Sequence, residues 1–293
     1  MEANKTALRA PKISVIIVTY NAAKTLEEAL ISVLNQTYKN FELIIIDGKS
    51  TDQTVNIIDK YNARINYWIS EKDAGIYDAM NKGIAVSTGE WILFLGADDV
   101  FFENNMLTRI FDADQLDCDF IYGDIVLKSR NKIIGMERDF FGLIDKNISH
   151  QAIFYKKKIF DKIGIYNSHY PILADYDLNL RIFKDGEITK KYIPNIVTLY
   201  NDRGVSNRTL DMNFFSDKLN YLLISENFSK DNPLLQQYYF YNGITKIWHG
   251  SYVNGVSDIW HCLRIGNRKL LYLRILFMLI IAEIGIGRKV AFK

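Results

Sequence analysis

Two adjacent carboxylates, Asp98 and Asp99, follow the apolar run at residues 91–95 and a glycine at position 96. A short, apolar, aromatic run of this kind is typical of a buried strand. Two neighbouring carboxylates at the end of a buried strand destabilise the fold unless a cation binds near them and offsets their charge. A divalent ion shared with a diphosphate would do so, because Mg²⁺ usually takes one or two carboxylates together with phosphate oxygens. The alternative is a solvated Asp-Asp turn that caps a helix near Glu103.

Apolar strands and amphipathic helices alternate through the segment that must position this pair. Strands are predicted from residue 13 into a turn at Asn21, at 41–46, at 65–69 and at 91–95. Thr25 is predicted to cap the first helix, and Thr51 or Asp52 the second, which runs through Tyr61. A third helix is predicted to end near residue 86. This alternation predicts an α/β fold with a parallel sheet covered on both faces.

Polar side chains stand just after each of these strands. They are Asn21, Asp47, Asp73 and the pair Asp98–Asp99. Ligands of open α/β sheets bind outside the carboxyl ends of the strands. The sequence therefore predicts that these residues converge on one crevice.

The chain resembles the large family 2 of inverting, nucleotide-sugar-dependent glycosyltransferases with the GT-A fold. The segments that carry the resemblance are residues 15–21, 32–37, 41–47, 50–52, 78–83, 85–95, 98–99 and 174–181. Any one of these motifs is weak, but their order and spacing together are specific, and they cover about residues 12–200. The resemblance implies a GT-A domain over residues 12–210, with a nucleotide-sugar-binding half at 12–100 and an acceptor half at 101–210. Residues 211–293 would then form a helical appendage.

The resemblance also implies roles on the donor side. Thr19 and Tyr20 stand where the first loop of the family packs on the nucleobase, and Asp47 matches the first acidic residue after the second strand. Many members carry a second Asp there that contacts the base, but this chain has Gly48. The base contact and the identity of the base therefore stay open, with a UDP-sugar favoured.

The same resemblance implies how the donor diphosphate is held. Asp98 corresponds to the residue that reaches the ribose, or the metal through water. Asp99 corresponds to the direct ligand of a divalent metal, Mn²⁺ or Mg²⁺, that contacts the diphosphate.

Asp175 matches the catalytic base of the family. Inverting transfer needs one base to take a proton from the attacking acceptor hydroxyl. It also needs charge stabilisation on the leaving nucleoside diphosphate, which a metal supplies as a Lewis acid. A helix N-cap is the alternative role for Asp175. Asp177 competes as the base, but positions two apart on a helix face different sides, so we expect Asp177 to pair with Arg181.

Two further residues are candidates for the donor site. His150 precedes an apolar stretch at residues 152–155, where many relatives carry a polar group at the junction of donor and acceptor; a structural hydrogen-bonding role is the alternative. Arg203 lies in a loop at residues 200–206 that would close over the donor and exclude water. An exposed loop arginine without a role is the alternative there.

Composition narrows the class of protein. The chain has 293 residues, 48% of them hydrophobic, which suits one large core with an appendage. A formal net charge of +2 gives no reason to expect nucleic-acid binding. The two cysteines, Cys118 and Cys262, suggest neither a disulfide framework nor a metal cluster. No signal peptide, Gly-x-Gly-x-x-Gly loop or Walker loop is recognised, which counts against dinucleotide oxidoreductases and P-loop enzymes.

The C-terminal region is aromatic and apolar, with basic residues on either side of residues 270–286. Arg274 and Glu283 interrupt this stretch, so it is too short between charges for the ~20 apolar residues of a membrane span. Aromatic residues and flanking basic residues fit an element in the membrane interface. A hydrophobic hairpin packed on the domain, or in a homodimer interface, is the alternative.

The resemblance, together with the basic and apolar C-terminal region, implies a cytoplasmic enzyme at the inner face of the cell membrane. Its expected task is sugar transfer from a nucleotide sugar to a polyprenyl-diphosphate-linked glycan in bacterial surface-polysaccharide synthesis, such as O-antigen or capsule. A sugar-nucleotide nucleotidyltransferase is one alternative, although its glycine-rich, basic loop after the first strand is missing. A non-catalytic binding protein on the same fold is the other; Asp98, Asp99 and Asp175 argue against it.

Overall fold

The computed structural model describes residues 10–111, 117–202, 211, 213–214, 217, 233–248, 250–265, 268–273 and 276. The chain divides into two compact units, Met1–Asn207 and Arg208–Lys293. This division falls close to the boundary expected between residues 210 and 211. Arg203, most of the helix expected after residue 213 and most of the apolar stretch at 270–286 lie outside the described residues.

The first part of the chain, up to residue 96, is a four-stranded parallel sheet with helical crossovers. Its elements are β1 (Ile13–Thr19), α1 (Leu26–Leu34), β2 (Phe41–Asp47), α2 (Thr54–Tyr61), β3 (Tyr67–Ser70), α3 (Ile76–Val86) and β4 (Trp91–Gly96). The strands lie in the order β3-β2-β1-β4. Residues of β1 and the apolar part of β4 are buried throughout, as expected for strands covered on both faces.

The remainder of the first unit extends this sheet to nine strands. Its elements are β5 (Val100–Phe101), α4 (Met106–Phe111), β6 (Phe120–Leu127), β7 (Lys132–Ile134), α5 (Phe140–Asp145), β8 (Ile153–Lys156), α6 (Lys158–Ile163), α7 (Ala174–Lys184) and β9 (Lys190–Tyr200). Beyond β4 the order continues β8-β6-β9-β5, with β7 beside β6, and parallel and antiparallel pairs are mixed. The expected α/β class is confirmed, and β6 and β7 pair as an antiparallel hairpin.

Local details differ from the sequence predictions at three helix or strand ends. β3 begins at Tyr67 instead of residue 65, because the 3₁₀ turn Asn62–Arg64 extends the preceding helix. Thr25 occupies the N-cap of α1 but makes no side-chain cap; its hydroxyl donates to the carbonyl of Ala22. The N-cap of α2 is Gln53, and Asp52 accepts a hydrogen bond from the Thr54 amide.

Among the described residues of the second unit, two helices pack on each other, α8 (Pro233–Trp248) and α9 (Tyr252–Arg264). Asp258 on α9 accepts hydrogen bonds from Asn242 and Lys246 on α8 and fixes the two helices together. No helix within the described ranges combines the length and the apolar character needed to cross a membrane.

Candidate functional site

Asp47 holds together the loops that follow β2 and β3. Its side chain is fully buried. It accepts hydrogen bonds from the Ser50 amide (2.9 Å), the Ser50 hydroxyl (2.5 Å) and the Ser70 hydroxyl (2.6 Å). The carboxylate therefore acts on the backbone of the site, and direct contact of Asp47 with a nucleotide stays a prediction.

Asn21 fastens the loop after β1 to the same structure. Its backbone is left-handed, with φ at 48°, a conformation that Asn tolerates better than most residues. Its side-chain oxygen accepts from the Thr51 amide at 2.8 Å, and its own amide donates to the Ser50 hydroxyl at 2.8 Å. Asn21 therefore joins the loop after β1 to the loop after β2 through hydrogen bonds.

Tyr20 and Thr19 stand at the same strand end with different environments. Tyr20 is 64% exposed, so its ring is open to contact with a ligand. Thr19 is buried, and its hydroxyl has no hydrogen-bond partner within the described part of the chain. A buried hydroxyl without a partner is available to form a hydrogen bond with a ligand atom.

Asp98 and Asp99 share one neighbour that the sequence analysis did not single out, Asn201. The Asn201 amide donates to Oδ1 of Asp99 at 2.7 Å, and its side chain donates to Oδ2 of Asp98 at 2.8 Å. Asn201 directly follows β9, so the end of that strand orients both carboxylates. Lys128 also donates to the backbone carbonyl of Asp98.

The protein itself offsets only part of the cost of burying the negative charge of Asp99. Asp99 is 1% exposed, and burial, followed by the charge of Asp98, raises its pKa to about 6. Hydrogen bonds from Asn201 and Gln151 and the nearby His150 offset this increase only in part. A bound cation would offset the remainder.

The residues present fit a divalent cation held jointly with a diphosphate. No group of three or more His, Cys, Asp or Glu side chains in the described ranges could hold a metal alone. Two carboxylates with phosphate oxygens suffice for Mg²⁺, and Mn²⁺ accepts the same oxygen ligands. A methyl group on Gly96 would lie 2.5 Å from Oδ2 of Asp99, so glycine keeps the strand end clear of this carboxylate.

Asp175 lies in the first turn of α7 and is held by side chains from other elements. Its Oδ1 accepts from the Tyr77 hydroxyl at 2.8 Å, and its Oδ2 accepts from the Asn147 side chain at 2.9 Å. The N-cap of α7 is Leu173, so the capping alternative for Asp175 is wrong. Asp175 is only 7% exposed, which makes its orientation well defined.

Asn147 is itself oriented by Asn179, which donates to its side-chain oxygen at 2.9 Å. Neither residue, nor Tyr77, was identified from the sequence. Tyr77 lies directly beside the motif at residues 78–83 and is buried in the first turn of α3. From the sequence alone it looks like an ordinary core tyrosine. A buried polar side chain next to a motif is the one signal that could have drawn attention to it.

His150 lies near both acidic centres. Its Nδ1 is 3.4 Å from Oδ2 of Asp175, and its ring interacts electrostatically with Asp99. It begins the 3₁₀ turn His150–Ala152 that leads into β8. A place at the junction of donor and acceptor and a role in catalysis both stay predictions.

Asp177 points away from this cluster. It accepts from Nε of Arg181 at 2.9 Å, and Arg181 also donates to the carbonyls of Ile163 and Ile165. The expected pairing of Asp177 with Arg181 is confirmed. The ion pair fixes α7 against the loop after α6, which leaves Asp175 as the carboxylate that faces His150.

Asp73 follows β3 and lies beside Gly48. Its Oδ1 accepts from the Gly75 amide at 3.0 Å. A methyl group on Gly48 would lie 2.5 Å from its Oδ2. Asp73, Tyr20 and Gly48 are thus neighbours at the carboxyl ends of three strands.

Comparison with known proteins agrees with this architecture. The model of the family described as "Glycosyl transferase family 2" matches residues 14–171. A PGL/p-HBAD biosynthesis glycosyltransferase of Mycobacterium bovis (strain BCG / Pasteur 1173P2) is 40% identical over 214 residues, which cover 71% of this chain and 84% of the relative.

A second relative and one solved structure extend the comparison. The Escherichia coli UDP-Glc:alpha-D-GlcNAc-diphosphoundecaprenol beta-1,3-glucosyltransferase WfgD is 27% identical over 246 residues, covering 79% of this chain and 92% of the relative. The mannosyltransferase PcManGT from Pyrobaculum calidifontis, solved with GDP-Man and Mn²⁺, has a TM-score of 0.60 at 14% identity, with 94% of this chain and 81% of that chain covered. The structural likeness concerns the fold alone.

Proposed function

Since this chain belongs to glycosyl transferase family 2 and is a glycosyltransferase of the GT-A fold, we propose that it moves a sugar from a nucleoside-diphosphate sugar to a hydroxyl of a glycan acceptor, with inversion at the anomeric carbon. One observation above all supports this: His150 lies 3.4 Å from Asp175 and also interacts electrostatically with Asp99. A proton acceptor and a cation-binding pair then share one crevice. Family membership also removes the support for a nucleotidyltransferase or a non-catalytic binding protein.

On the donor side, Asp99 with Asp98 would hold a divalent cation, Mn²⁺ or Mg²⁺. That cation would stabilise the charge that develops on the leaving diphosphate. Asn201 keeps both carboxylates oriented through its amide and its side chain. Tyr20, Asn21 and the loop fixed by Asp47 would form the floor for the nucleoside. Arg203, which lies outside the described residues, stays a proposed contact of the diphosphate.

On the acceptor side, Asp175 would take the proton of the attacking hydroxyl. Tyr77 and Asn147 each contact one carboxylate oxygen and hold the carboxylate in one orientation. Oδ1, which accepts from Tyr77, keeps a further lone pair for the acceptor hydroxyl. A single-displacement reaction requires no enzyme nucleophile, and attack opposite the leaving group inverts the anomeric configuration.

We further propose a lipid-linked acceptor at the inner face of the cytoplasmic membrane. The name of WfgD, one relative, describes a diphosphoundecaprenol-linked sugar as its acceptor. On α9, Val253, Val256 and Trp260 follow at helical spacing and are 84%, 59% and 57% exposed. An exposed apolar helix face next to basic residues suits the membrane interface. The basic residues here are Arg264, whose guanidinium lies 5.3 Å from the Trp260 ring, and Arg268 and Lys269.

The proposed reaction is tested with the full-length protein, Mn²⁺ and a panel of UDP-, GDP- and dTDP-sugars. Acceptors are a synthetic polyprenyl-diphosphate-linked N-acetylhexosamine and the same sugar on a soluble aglycone. We expect transfer from one nucleotide sugar, and NMR of the product should give an anomeric configuration opposite to that of the donor. Formation of a sugar nucleotide and pyrophosphate from a sugar phosphate and a nucleoside triphosphate, without transfer to the acceptors, would overturn the proposal.

A catalytically inactive control separates this activity from contaminating enzymes. Asp175→Asn removes the proposed base while retaining the size of the side chain, so its preparation should show no product above background. A product with the donor configuration, formed at equal rate by both preparations, would exclude inverting transfer by this protein.

A further inference from the structure

Asp124 is a buried carboxylate that stands apart from the acidic residues of the candidate site. It is 9% exposed, and no Lys or Arg among the described residues forms an ion pair with it. Its Oδ1 accepts a hydrogen bond from the Tyr192 hydroxyl at 2.7 Å. Its Oδ2 receives no hydrogen bond within the described ranges, and it is not one of the unpartnered oxygens that are closed to solvent. Oδ2 is therefore open to a hydrogen-bond donor from outside the protein.

The pairing of β6 with β9 is irregular at Asp124. The register shifts on both sides of this residue, which lies opposite Ile196. The two backbones meet closely there, because a methyl group on Gly123 would lie 2.6 Å from the carbonyl oxygen of Asn195. Pro194 in β9 has no N–H for the ladder, as is common at bulges. Irregular pairing of this kind turns a side chain in a new direction and is frequent beside active sites.

Two neighbours fix the direction of this carboxylate. A methyl group on Gly135 would collide with Oδ1 and Cγ of Asp124, so the glycine lets the chain pass directly over the carboxylate. The φ angle of Gly135 is not positive, so its conformation alone would accept other residues. Burial, together with the hydrogen bond to Asp124, raises the pKa of Tyr192 to about 12, so its hydroxyl keeps donating at neutral pH. The carboxylate is thus held in place while Oδ2 stays available.

Asp124 lies at the same end of the sheet as the candidate site. β8 pairs antiparallel with both β4 and β6, so β4 and β6 run in the same direction. Asp98 and Asp99 follow the carboxyl end of β4, and Asp124 lies in the second half of β6. The 3₁₀ turn His150–Ala152 precedes β8 and therefore lies at this end as well.

Asp124 also lies on the face of the sheet that α7 covers. Phe183, in the last turn of α7, packs on the ring of Tyr122 in the first half of β6. The Tyr192 ring centroid lies 5.4 Å from that of Tyr122, so the hydrogen-bond partner of Asp124 is on this face too. The last turn of α7 thus lies over the start of β6, and its first turn, with Asp175, lies towards the carboxyl end of that strand.

We propose that Oδ2 of Asp124 accepts a hydrogen bond from a hydroxyl of the acceptor sugar, other than the hydroxyl that attacks the donor. This inference rests on the proposed function, because it adds a contact to the acceptor side of the same site. Asp175 takes the proton of the attacking hydroxyl, and Asp124 holds the sugar ring by a second hydroxyl. Asp124 is then a residue that determines acceptor specificity.

A sugar hydroxyl suits this oxygen better than a metal ion does. A neutral O–H donor forms a charge-assisted hydrogen bond without requiring another charge nearby. A metal ion would need further ligands, and no group of three or more His, Cys, Asp or Glu side chains in the described ranges could hold one. An acceptor that lacks the hydroxyl would leave a buried carboxylate oxygen unpaired, which is how such sites reject deoxy analogues.

The test measures acceptor kinetics of the full-length wild type and Asp124→Asn. The acceptors are the polyprenyl-diphosphate-linked N-acetylhexosamine, at saturating nucleotide sugar, and analogues in which one hydroxyl at a time is replaced by hydrogen. Asp124→Asn should raise the KM for the parent acceptor about 10-fold, as expected when a hydrogen bond to a charged group is weakened, with little change in kcat. One deoxy analogue should raise the wild-type KM by a similar factor, but the KM of the variant hardly at all.

Two further variants separate a contact with the acceptor from a structural role. Tyr192→Phe removes only the hydroxyl that orients Asp124, so it should raise the acceptor KM by a smaller factor. Asp119→Asn is the control, because Asp119 is also buried but lies before β6, where it pairs with Lys156 and Lys158. It should lower the melting temperature and leave the acceptor KM unchanged. Hydrolysis of the nucleotide sugar without acceptor should be equal in the wild type and all three variants.

An unchanged acceptor KM in both Asp124→Asn and Tyr192→Phe overturns the inference while the proposed function stands. So does a difference between wild type and Asp124→Asn that is the same on every deoxy analogue. Loss of kcat at saturating acceptor in Asp124→Asn, with Asp175→Asn still active, also overturns it, because Asp124 would then be the base. If Asp124→Asn does not fold, Tyr192→Phe with the deoxy analogues decides the question. Absence of transfer by the wild type to every acceptor overturns both.

Discussion

The hydroxyl of Tyr77 lies 2.8 Å from Oδ1 of Asp175 and 2.7 Å from the carbonyl oxygen of Ile172. The hydroxyl has one proton for these two acceptors, and the carboxylate is the stronger. Tyr77 belongs to the first turn of α3, on the proposed donor side, whereas Asp175 lies in the first turn of α7, on the proposed acceptor side. One hydrogen bond thus joins the helix beside the donor loops to the proposed base.

Tyr77→Phe should lower kcat roughly 10-fold, with little change in the KM for the nucleotide sugar. The substitution removes only the hydroxyl, and a hydrogen bond to a charged group contributes about 1.5–3 kcal/mol. Steady-state kinetics with varied donor measures both parameters. The matched control is Tyr61→Phe, whose hydroxyl contacts Glu27 at the surface and should leave both parameters unchanged. Equal effects of the two variants would contradict a positioning role for Tyr77.

Asp175→Asn should reduce turnover by at least ~10²-fold, the lower end for loss of general-base catalysis, while binding of the nucleoside diphosphate is retained. Asp177→Asn should instead lower the free energy of unfolding by about 1 kcal/mol, because it breaks a partly exposed ion pair with Arg181. Single-turnover kinetics and thermal denaturation separate the two effects. If Asp177→Asn proves the inactive variant and Asp175→Asn the active one, the base is Asp177.

Asp99→Asn should abolish turnover and the metal-dependent part of nucleoside-diphosphate binding. The neutral amide is a weaker ligand for a hard cation than the carboxylate it replaces. Calorimetry of UDP with Mn²⁺ and with EDTA tests this in the wild type and the variant. Glu103→Gln, which alters an exposed ion pair with Arg109, is the control. Equal affinity of the wild type for UDP in Mn²⁺ and EDTA would rule out the metal assignment.

Glu42 lies at the end of the sheet away from the site, and it should make the stability of the fold depend on pH. Burial alone would raise its pKa, but hydrogen bonds from Lys12, Ser14 and Thr88 lower it from 4.5 to about 2. A carboxyl with a lowered pKa in the folded state stabilises the fold above its unfolded pKa. That stabilisation is lost as the pH falls from about 4.5 towards 2.

Glu42→Gln should therefore lower the free energy of unfolding at pH 7 by about 2 kcal/mol, in the range for hydrogen bonds to a charged group. The difference between wild type and variant should shrink as the pH falls below 4.5. Urea denaturation at a series of pH values measures it. A difference that stays constant down to pH 3 would show that the charge of Glu42 is not what stabilises the network.

The apolar face of α9 should bind anionic membranes. Asp258, the one acidic residue of α9, is bound to Asn242 and Lys246, so the exposed charges of this helix are basic. Val253→Asp with Val256→Asp should abolish flotation of the full-length protein with vesicles of phosphatidylglycerol, because each change places a charge in the interface. Flotation of the wild type should weaken with added salt, since Arg264, Arg268 and Lys269 would meet headgroups at ~1 kcal/mol each.

Ile133→Asp is the control for this experiment, because Ile133 is also exposed but belongs to β7 in the first unit. It should leave flotation unchanged. A concentration-dependent dimer that the double variant disrupts, without vesicle binding by the wild type, would identify the face as a protein interface and remove the support for membrane contact.

The elements of the first part of the chain, up to residue 96, could be predicted closely from the sequence because their signals are local. Each strand is a continuous apolar run followed by a polar residue, so the elements and the position of Asn21, Asp47, Asp73 and Asp98–Asp99 after strand ends follow from neighbouring residues. The start of β3 was missed because Ile65 is apolar like a strand residue, yet the turn at Asn62–Arg64 delays the strand.

The contacts that orient the acidic residues could not be predicted in the same way. Tyr77 and Asp175 are 98 positions apart, and Asn201 is 103 positions from Asp98. No periodicity or spacing joins residues at such distances, and a lone Tyr or Asn has many ordinary roles. The close approach of Asp73 to Gly48 could not be predicted either. The sequence shows only that residue 48 has no side chain, and not which residue occupies the space beside it.

The buried contacts of Asp47 stabilise the turns beneath the proposed donor site and do not involve the side chains that would contact the donor. Ser50 and Ser70 satisfy this carboxylate from within, so the turns after β2 and β3 keep their shape without help from a nucleotide. Side chains above them, such as Tyr20 and Asp73, can then be exchanged without rebuilding the turns. In this arrangement a change of donor preference needs few substitutions, and it leaves the folding of the sheet untouched.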